Sequence, residues 1–354
     1  MITVDKLDIK SMNIPEIERL LSDLGQPTFR AKQVFDWLQS KCVRSFDEMT
    51  NLPASLRAKL NDLCYIADCD IECRFESKLD ETVKYLFRLY DGQFIESVLM
   101  KYHHGYSICI STQVGCRMGC RFCASTMDGL SRSLTASEML SQIMAAQRDR
   151  GIRISNIVLM GMGEPMDNFD NVMRFLELVS DDNGLNIGMR HISLSTCGHV
   201  DGIYRLLERN LQLTLSISLH APNDAIRSTM MPINNRWSVD ELMAACRDYT
   251  EQTHRRISFE YAMIKGVNDS DECARELAER LHGMLCHVNL IPANEVRGRE
   301  YVRSDRVYQF CELLCKFGIN ATVRRTLGAD ISASCGQLRQ RRENDNKTVT
   351  LKNG

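Results

Sequence analysis

Cys116-Arg117-Met118-Gly119-Cys120-Arg121-Phe122-Cys123 follows closely on the apolar run Ile108-Cys109-Ile110, and its reading decides what kind of fold surrounds it. Three thiolates at CxxxCxxC spacing hold three irons of a cubane and leave the fourth iron open to a small molecule, whereas clusters that only carry electrons usually take four cysteines. The same thiols also suit a zinc loop completed by a distant Cys or His.

Downstream of the loop the sequence alternates regularly. Short apolar strands are expected at Ile157–Met160, Ile192–Ser195, Leu213–Leu219, Ile257–Met263, Val288–Ile291 and Ala321–Val323, with helical segments between them. Two of those helices begin with capping boxes, Thr135-x-x-Glu138 and Ser238-x-x-Glu241. Alternating βα units imply a parallel sheet. Counting the strand before the cysteine loop gives six or seven strands, short of a closed eight-stranded barrel. The expected fold class is α/β, a partial (β/α)6-type barrel open on one side.

Upstream, apolar spacings of three and four over Pro15–Leu24, Phe29–Leu38 and Ser55–Leu63 mark residues 1–65 as a small helical accessory domain. Residues 66–104 read as connecting β-strands, clearest at Thr82–Leu89 and Phe94–Met100. The barrel is then assigned to 105–338 and a polar tail to 339–354.

At 354 residues, with 44% hydrophobic and 25% charged residues, the chain has the composition of an ordinary globular protein. No stretch nears the roughly 18 to 20 apolar residues of a membrane span. The start, Met1-Ile2-Thr3-Val4-Asp5-Lys6, lacks a basic-then-apolar signal pattern, so no membrane and a cytoplasmic location are expected. Fifteen irregularly spaced cysteines read as reduced thiols, mostly packing, rather than a disulfide framework. The half-spacings Cys69/Cys73 and Cys311/Cys315 are read the same way, and the eighteen methionines as mostly core. A net charge of −2 exerts no global pull on nucleic acid, so any RNA contact must rest on a local basic face. Arg117, Arg121 and Arg132 flank the loop, and Arg324, Arg325, Arg339, Arg341 and Arg342 crowd the C-terminal end. Such runs are most often solvated surface.

Barrel enzymes carry their chemistry at the C-terminal strand ends, and the unusual residues lie there. The second strand runs into Gly161-Met162-Gly163-Glu164-Pro165, where glycines admit close backbone approach to a ligand and a carboxylate can face a cation. A plain turn is the alternative. Further strands end in Ser195-Thr196-Cys197-Gly198, Ser218-Leu219-His220 and Pro292-Ala293-Asn294. Several polar ends aimed at one mouth make a pocket.

Gln113-Val114-Gly115 leading into Cys116, Cys120 and Cys123, then Met160–Pro165, Ser218–His220 and Ala333-Ser334-Cys335-Gly336-Gln337-Leu338, together resemble the radical S-adenosylmethionine RNA methyltransferases that modify adenine carbons. The likeness spans about Glu96 to Leu338, and the helical N-terminus resembles that family's accessory domain. It implies a radical S-adenosylmethionine barrel with a [4Fe-4S] cluster on Cys116, Cys120 and Cys123. It also implies an S-adenosylmethionine pocket in which Gly163 and Glu164 meet the methionine amino group and Ser195, Ser218, Leu219, His220 and Asn294 complete the walls.

Two branches of the family methylate different adenine carbons. The Gly-Met-Gly-Glu-Pro turn and Arg324-Arg325-Thr326 resemble the C2 branch, which acts on 23S rRNA in the peptidyl-transferase region and on the tRNA adenine beside the anticodon. The C8 branch departs at both places and is the closer rival. A non-catalytic, zinc-stabilised RNA-binding protein is the reading from another class. An electron donor such as a flavodoxin or ferredoxin is implied as well.

Adenine C2 lies between two ring nitrogens and is electron-poor, so polar transfer of an electrophilic methyl to it pairs two electrophiles. The resemblance implies instead that Cys335 takes a methyl from one S-adenosylmethionine as a thiolate nucleophile. A radical made from a second S-adenosylmethionine then removes hydrogen from that methyl, and the carbon radical adds to C2. Glu96 matches the proton acceptor and Cys109 the thiol that resolves the adduct as a disulfide. Read without the resemblance, Cys109 in its apolar strand is core packing, and Glu96 is the solvated face of a strand.

Overall fold

The computed structural model of the chain describes residues 6–294, 300–331 and 333. Three helices open it: α1 (Ile14–Asp23), α2 (Phe29–Gln39) and α3 (Ala54–Leu63). Asn13 and Glu16 form a reciprocal cap at the start of α1, which satisfies two otherwise orphan backbone donors. The three- and four-residue spacing of Ile17, Leu21, Val34, Phe35, Leu38, Leu56 and Leu60 puts these side chains on inward faces, where all are buried.

A ten-stranded sheet forms the centre, and its strands lie side by side in chain order. They are β1 (Asp70–Glu76), β2 (Val83–Arg88), β3 (Phe94–Tyr102), β4 (Gly105–Cys109), β5 (Ile154–Leu159), β6 (Ile192–Thr196), β7 (Thr214–Ser218), β8 (Ile257–Met263), β9 (Cys286–Pro292) and β10 (Ala321–Val323). From β1 to β4 the pairing is antiparallel, as short turns demand. From β4 to β10 it is parallel, each step crossing over through helix. The parallel part thus has seven strands, and β10 and β1 form two separate edges, so the sheet stays open.

The crossover helices are α4 (Ala136–Arg150), α5 (Phe169–Ser180), α6 (Val200–Glu208), α7 (Asp224–Met230), α8 (Val239–Thr253), α9 (Asp271–Leu281) and α10 (Val307–Lys316). Both expected capping boxes form, at the starts of α4 and α8. No helix among the described residues is long and apolar enough to cross a membrane.

The N-terminal helices share their apolar core with the sheet and its helices. A buried polar latch adds to this. Lys10 is only 2% exposed, and its Nζ donates to Ala67 O at 3.0 Å and to Ser141 Oγ of α4 at 2.9 Å. Burial pushes this ammonium below its usual range, opposed chiefly by Asp68. At the edge, Arg174 of α5 pairs with Glu16 at 2.7 Å, and Asn13 Nδ2 donates to Glu177 at 2.7 Å.

Candidate active site

Beyond β4, the segment Gln113–Gly115 pairs antiparallel with Leu130–Ser133, so the cysteine loop is an excursion pinned at both ends. Gly115 is dictated by that closure. Its φ is +75°, and a Cβ there would meet Gly129 O at 1.9 Å, while the next residue, Cys116, donates its N–H to the same oxygen at 2.9 Å. Within the loop, Thr126 Oγ1 lies 3.0 Å from both Cys120 O and Cys123 O. Arg121 N donates to Met230 O at 2.8 Å, which ties the loop to the end of α7. Cys116 and Cys120 are buried and Cys123 partly so. Burial pushes the Cys116 thiol up to about 12 and raises that of Cys120 as well. Metal loading must therefore displace protons that burial holds on sulfur.

The glycine turn after β5 fits against the extension of β4 like a second ladder. Gly161 N donates to Ile110 O, Met162 N to Ser111 Oγ and Glu164 N to Gln113 Oε1, each at 3.0 Å. A side chain at Gly161 would place Cβ 2.5 Å from Ile110 O. At Gly163, φ is +104° and a Cβ would sit 2.7 Å from that of Gln113. Gly163→Ala thus forces left-handed backbone on an L-residue, at a cost of about 1–2 kcal/mol, and displaces Gln113. Thermal unfolding and isothermal titration with S-adenosylmethionine should show a lower midpoint and at least about tenfold weaker binding.

Glu164 is 3% exposed, and both of its oxygens are engaged. Oε1 accepts from Met166 N at 3.0 Å and Oε2 from Cys197 N at 2.7 Å, so the carboxylate links the ends of β5 and β6. Burial raises its pKa in spite of these donors. A cation arriving in the cavity would offset that cost.

One cavity gathers the three loop cysteines and most of the S-adenosylmethionine-pocket residues singled out in the sequence. Cys116, Cys120, Cys123, Gly163, Glu164, Ser195, Ser218, His220 and Asn294 line it. Leu219 does not. It is fully buried beneath the wall, where its N–H donates to Glu260 O at 3.1 Å and its carbonyl accepts from Arg227 Nε at 3.1 Å. Residues not anticipated also face the cavity, among them Thr126, Glu260 and Tyr301.

A second cleft adjoins the first and shares Met160, Ile291, Asn294 and Arg324 with it. Cys109, Val98, Tyr102, Arg325 and Ala333 line this cleft. Glu96 is 5% exposed and lies two residues along β3 from Val98, hence on the same face of the strand. Lys84 stands opposite Val98 on β2, and its Nζ is 3.7 Å from Glu96 Oε1. Lys84 carried no sequence signal, because one lysine in a strand reads as solvated. Cys335, Arg339, Arg341 and Arg342 lie outside the described residues.

His220 takes a left-handed backbone, φ +58°, that turns its ring into the cavity. Its Nδ1 accepts from Ala262 N at 2.9 Å, leaving the proton on Nε2, and Phe122 packs edge-on at 4.9 Å. Burial, aided by Arg227, lowers its pKa to about 3. Between the ordinary value of about 6.5 and about 3, the unfolded chain binds a proton that the folded one refuses. This part of the stability is complete above pH 6.5 or so and is lost as pH falls, by about 1 kcal/mol per pH unit. Subtracting the urea-unfolding profile of His220→Gln from that of the unsubstituted protein between pH 6.5 and 4.5 should reveal this one-proton slope.

Comparison with known proteins places this geometry. A family model described as the Radical SAM superfamily matches residues 110–278, and one described as the Ribosomal RNA large subunit methyltransferase N-terminal domain matches residues 7–66. Over 340 residues the chain is 54% identical to the probable dual-specificity RNA methyltransferase RlmN of Alkaliphilus oremlandii, covering 96% of this chain and 99% of that one. The chain belongs to the RlmN family. A second RlmN relative, from Lachnospira eligens, is 54% identical over 94% of this chain and 96% of its own. A crystal structure of a radical SAM methyltransferase from Sphaerobacter thermophilus is 45% identical, with a TM-score of 0.90 over 94% of this chain and 99% of that one.

Membership of the RlmN family makes this chain a radical S-adenosylmethionine RNA methyltransferase, whose cofactors are a [4Fe-4S] cluster and S-adenosylmethionine. The residues present suit both groups. Three thiols border a cavity whose glycine-turn wall carries no side chain at Gly161 or Gly163, leaving backbone open to a ligand. Among the described residues, no three His, Cys, Asp or Glu side chains converge closely enough to hold a single metal ion. A lone zinc ion would need its thiolates all about 2.3 Å from one centre, whereas a cubane spreads them over separate irons.

Proposed function

We propose that the chain methylates C2 of adenine in 23S rRNA, in the peptidyl-transferase region, and C2 of the tRNA adenine beside the anticodon. The dual specificity in the names of its relatives and the large-subunit rRNA methyltransferase match over residues 7–66 support the substrates. The observation that carries the chemistry is the junction of the two clefts, one lined by the loop cysteines and the other by Cys109 and Ala333, with Arg324 and Asn294 common to both.

In this reading Cys116, Cys120 and Cys123 would hold the cluster, and Gly163, Glu164, Ser195, Ser218, His220 and Asn294 would form the S-adenosylmethionine site, with Leu219 packed behind its wall. A cluster held there would supply the single electron needed for reductive cleavage of S-adenosylmethionine. Cys335 carries the methyl as a thioether, taken from a first S-adenosylmethionine while its thiolate acts as nucleophile. After hydrogen is removed from that methyl, its carbon joins adenine C2. Glu96 accepts the C2 proton, with the Lys84 ammonium beside its carboxylate. As that proton leaves, the adduct gives up its surplus electron to the oxidised donor protein; the Cys109 thiolate then attacks the sulfur of Cys335, the S–CH2 bond breaks, the released carbon takes a proton to become the product's methyl, and a Cys109–Cys335 disulfide remains. A flavodoxin or ferredoxin serves as electron donor.

Nucleoside mass spectrometry of RNA after reaction tests the proposal. The expected product is 2-methyladenosine; 8-methyladenosine would assign the chain to the C8 activity instead.

A further inference from the structure

Arg227 of α7 is fully buried, although an arginine in a short amphipathic segment reads as surface in the sequence. Its guanidinium makes four hydrogen bonds. Nε donates to Leu219 O at 3.1 Å, Nη1 to Asn234 Oδ1 at 2.9 Å, and Nη2 to Cys197 O at 2.6 Å and Ser218 O at 3.3 Å. Every acceptor is a neutral oxygen. The chain is shaped around this group, since a Cβ at Gly198 would lie 2.8 Å from Nη2.

Four neutral acceptors engage all three guanidinium nitrogens but supply no compensating charge. Guanidinium does not deprotonate in proteins, and an unpaired buried ion carries a penalty of several kcal/mol. Burial acts against the charged form here, and the groups that counter it are, in order, Cys197, Cys120 and Asp224. Cys120 belongs to the loop that Arg121 N pins to α7 through Met230 O. Asp224 does not reach the guanidinium directly; its Oδ1 accepts from Asn234 Nδ2 at 2.8 Å and from Val239 N at 2.7 Å. Cys197, whose carbonyl takes the Arg227 Nη2 hydrogen bond, lines the same cavity as Cys116, Cys120 and Cys123, so an anion seated on the loop thiolates would face this guanidinium. A [4Fe-4S] core on three thiolates carries one net negative charge when oxidised and two when reduced.

We propose that Arg227 is the fixed counter-charge of the iron-sulfur site, a positioning residue that raises the cluster's reduction potential by favouring its more negative state. The inference rests on the assignment of the cluster to Cys116, Cys120 and Cys123. It gives the buried cation a task that hydrogen bonds to strand ends alone do not require. Charge near a cluster is one of the levers by which a protein sets its potential.

The test is an anaerobic redox titration of the reconstituted full-length protein, followed by electron paramagnetic resonance. Arg227→Gln should lower the midpoint, with at least about a tenfold fall in the reduced-to-oxidised ratio at fixed poise, or about 59 mV for one electron. Arg227→Lys breaks the same hydrogen-bond pattern but keeps the charge, so it should stay near the unsubstituted value. Asp224→Asn removes a nearby negative charge and should raise the midpoint. Should Arg227→Gln fail to fold, the Lys and Asp224→Asn variants decide. Equal midpoints in all cluster-containing variants, or a fall with Lys as large as with Gln, would overturn the role of Arg227. Unsubstituted protein that takes up no cluster would instead overturn the cluster assignment.

Discussion

Cys123→Ala protein is expected to fold, to lack the brown colour of a cubane and to produce 5′-deoxyadenosine only at background. The fold survives because Cys123 is only partly buried, whereas Cys116 and Cys120 are buried. The loop's shape also rests on other contacts: the ladder of Gln113–Gly115 with Leu130–Ser133, the Thr126 hydroxyl between two carbonyls and the tie from Arg121 to Met230. Chemistry does not survive, because two thiolates are left for a cluster that needs three. Circular dichroism, the visible spectrum and chromatography of cleavage products separate these outcomes. A brown Cys123→Ala protein that still cleaves S-adenosylmethionine would sink the assignment of all three cysteines.

A second large effect is expected at Cys109, where the structural and chemical accounts of one side chain diverge. Cys109 is 7% exposed and belongs to the main apolar core, so as packing alone its replacement by Ala costs about 1 kcal/mol. It also lines the second cleft together with Ala333, two residues before Cys335 in the sequence. If Cys109 resolves the adduct, Cys109→Ala enzyme should complete radical addition and then remain bonded to RNA through Cys335. On a denaturing gel after reaction with radiolabelled RNA, most of the reacted label should run with protein. Free methylated RNA at normal yield would show that Cys109 is only a core residue.

What was legible in the sequence is what local pattern encodes. The crossover helices announce themselves through caps such as Thr135 with Glu138, and β8 and β10 through short, largely apolar runs, because both signals are set by neighbours in the chain. The strand β1 was not distinguished from its surroundings, since Asp70–Glu76 alternates half-buried and exposed residues at a sheet edge. The ladder of Gln113–Gly115 with Leu130–Ser133 depends on a loop closure that periodicity does not register. Within the site, the cysteine and glycine spacings were readable because one ligand fixes them. Arg227 and Lys84 were not, because their significance comes from burial, and burial is a property of the assembled sheet. Leu219 marks another limit: a short sequence motif reaches the cavity through Ser218 and His220, while the residue between them faces the core.

The two unjoined margins of the sheet, β1 and β10, have a further meaning for what can be a substrate. A ring of strands has a fixed aperture and admits only molecules that pass through it whole. A sheet with free margins has no such limit. Its mouth can accept one nucleotide of a polymer while thousands of daltons remain outside. Selection by such an enzyme must then act on how the polymer presents that nucleotide, and not on the polymer's size.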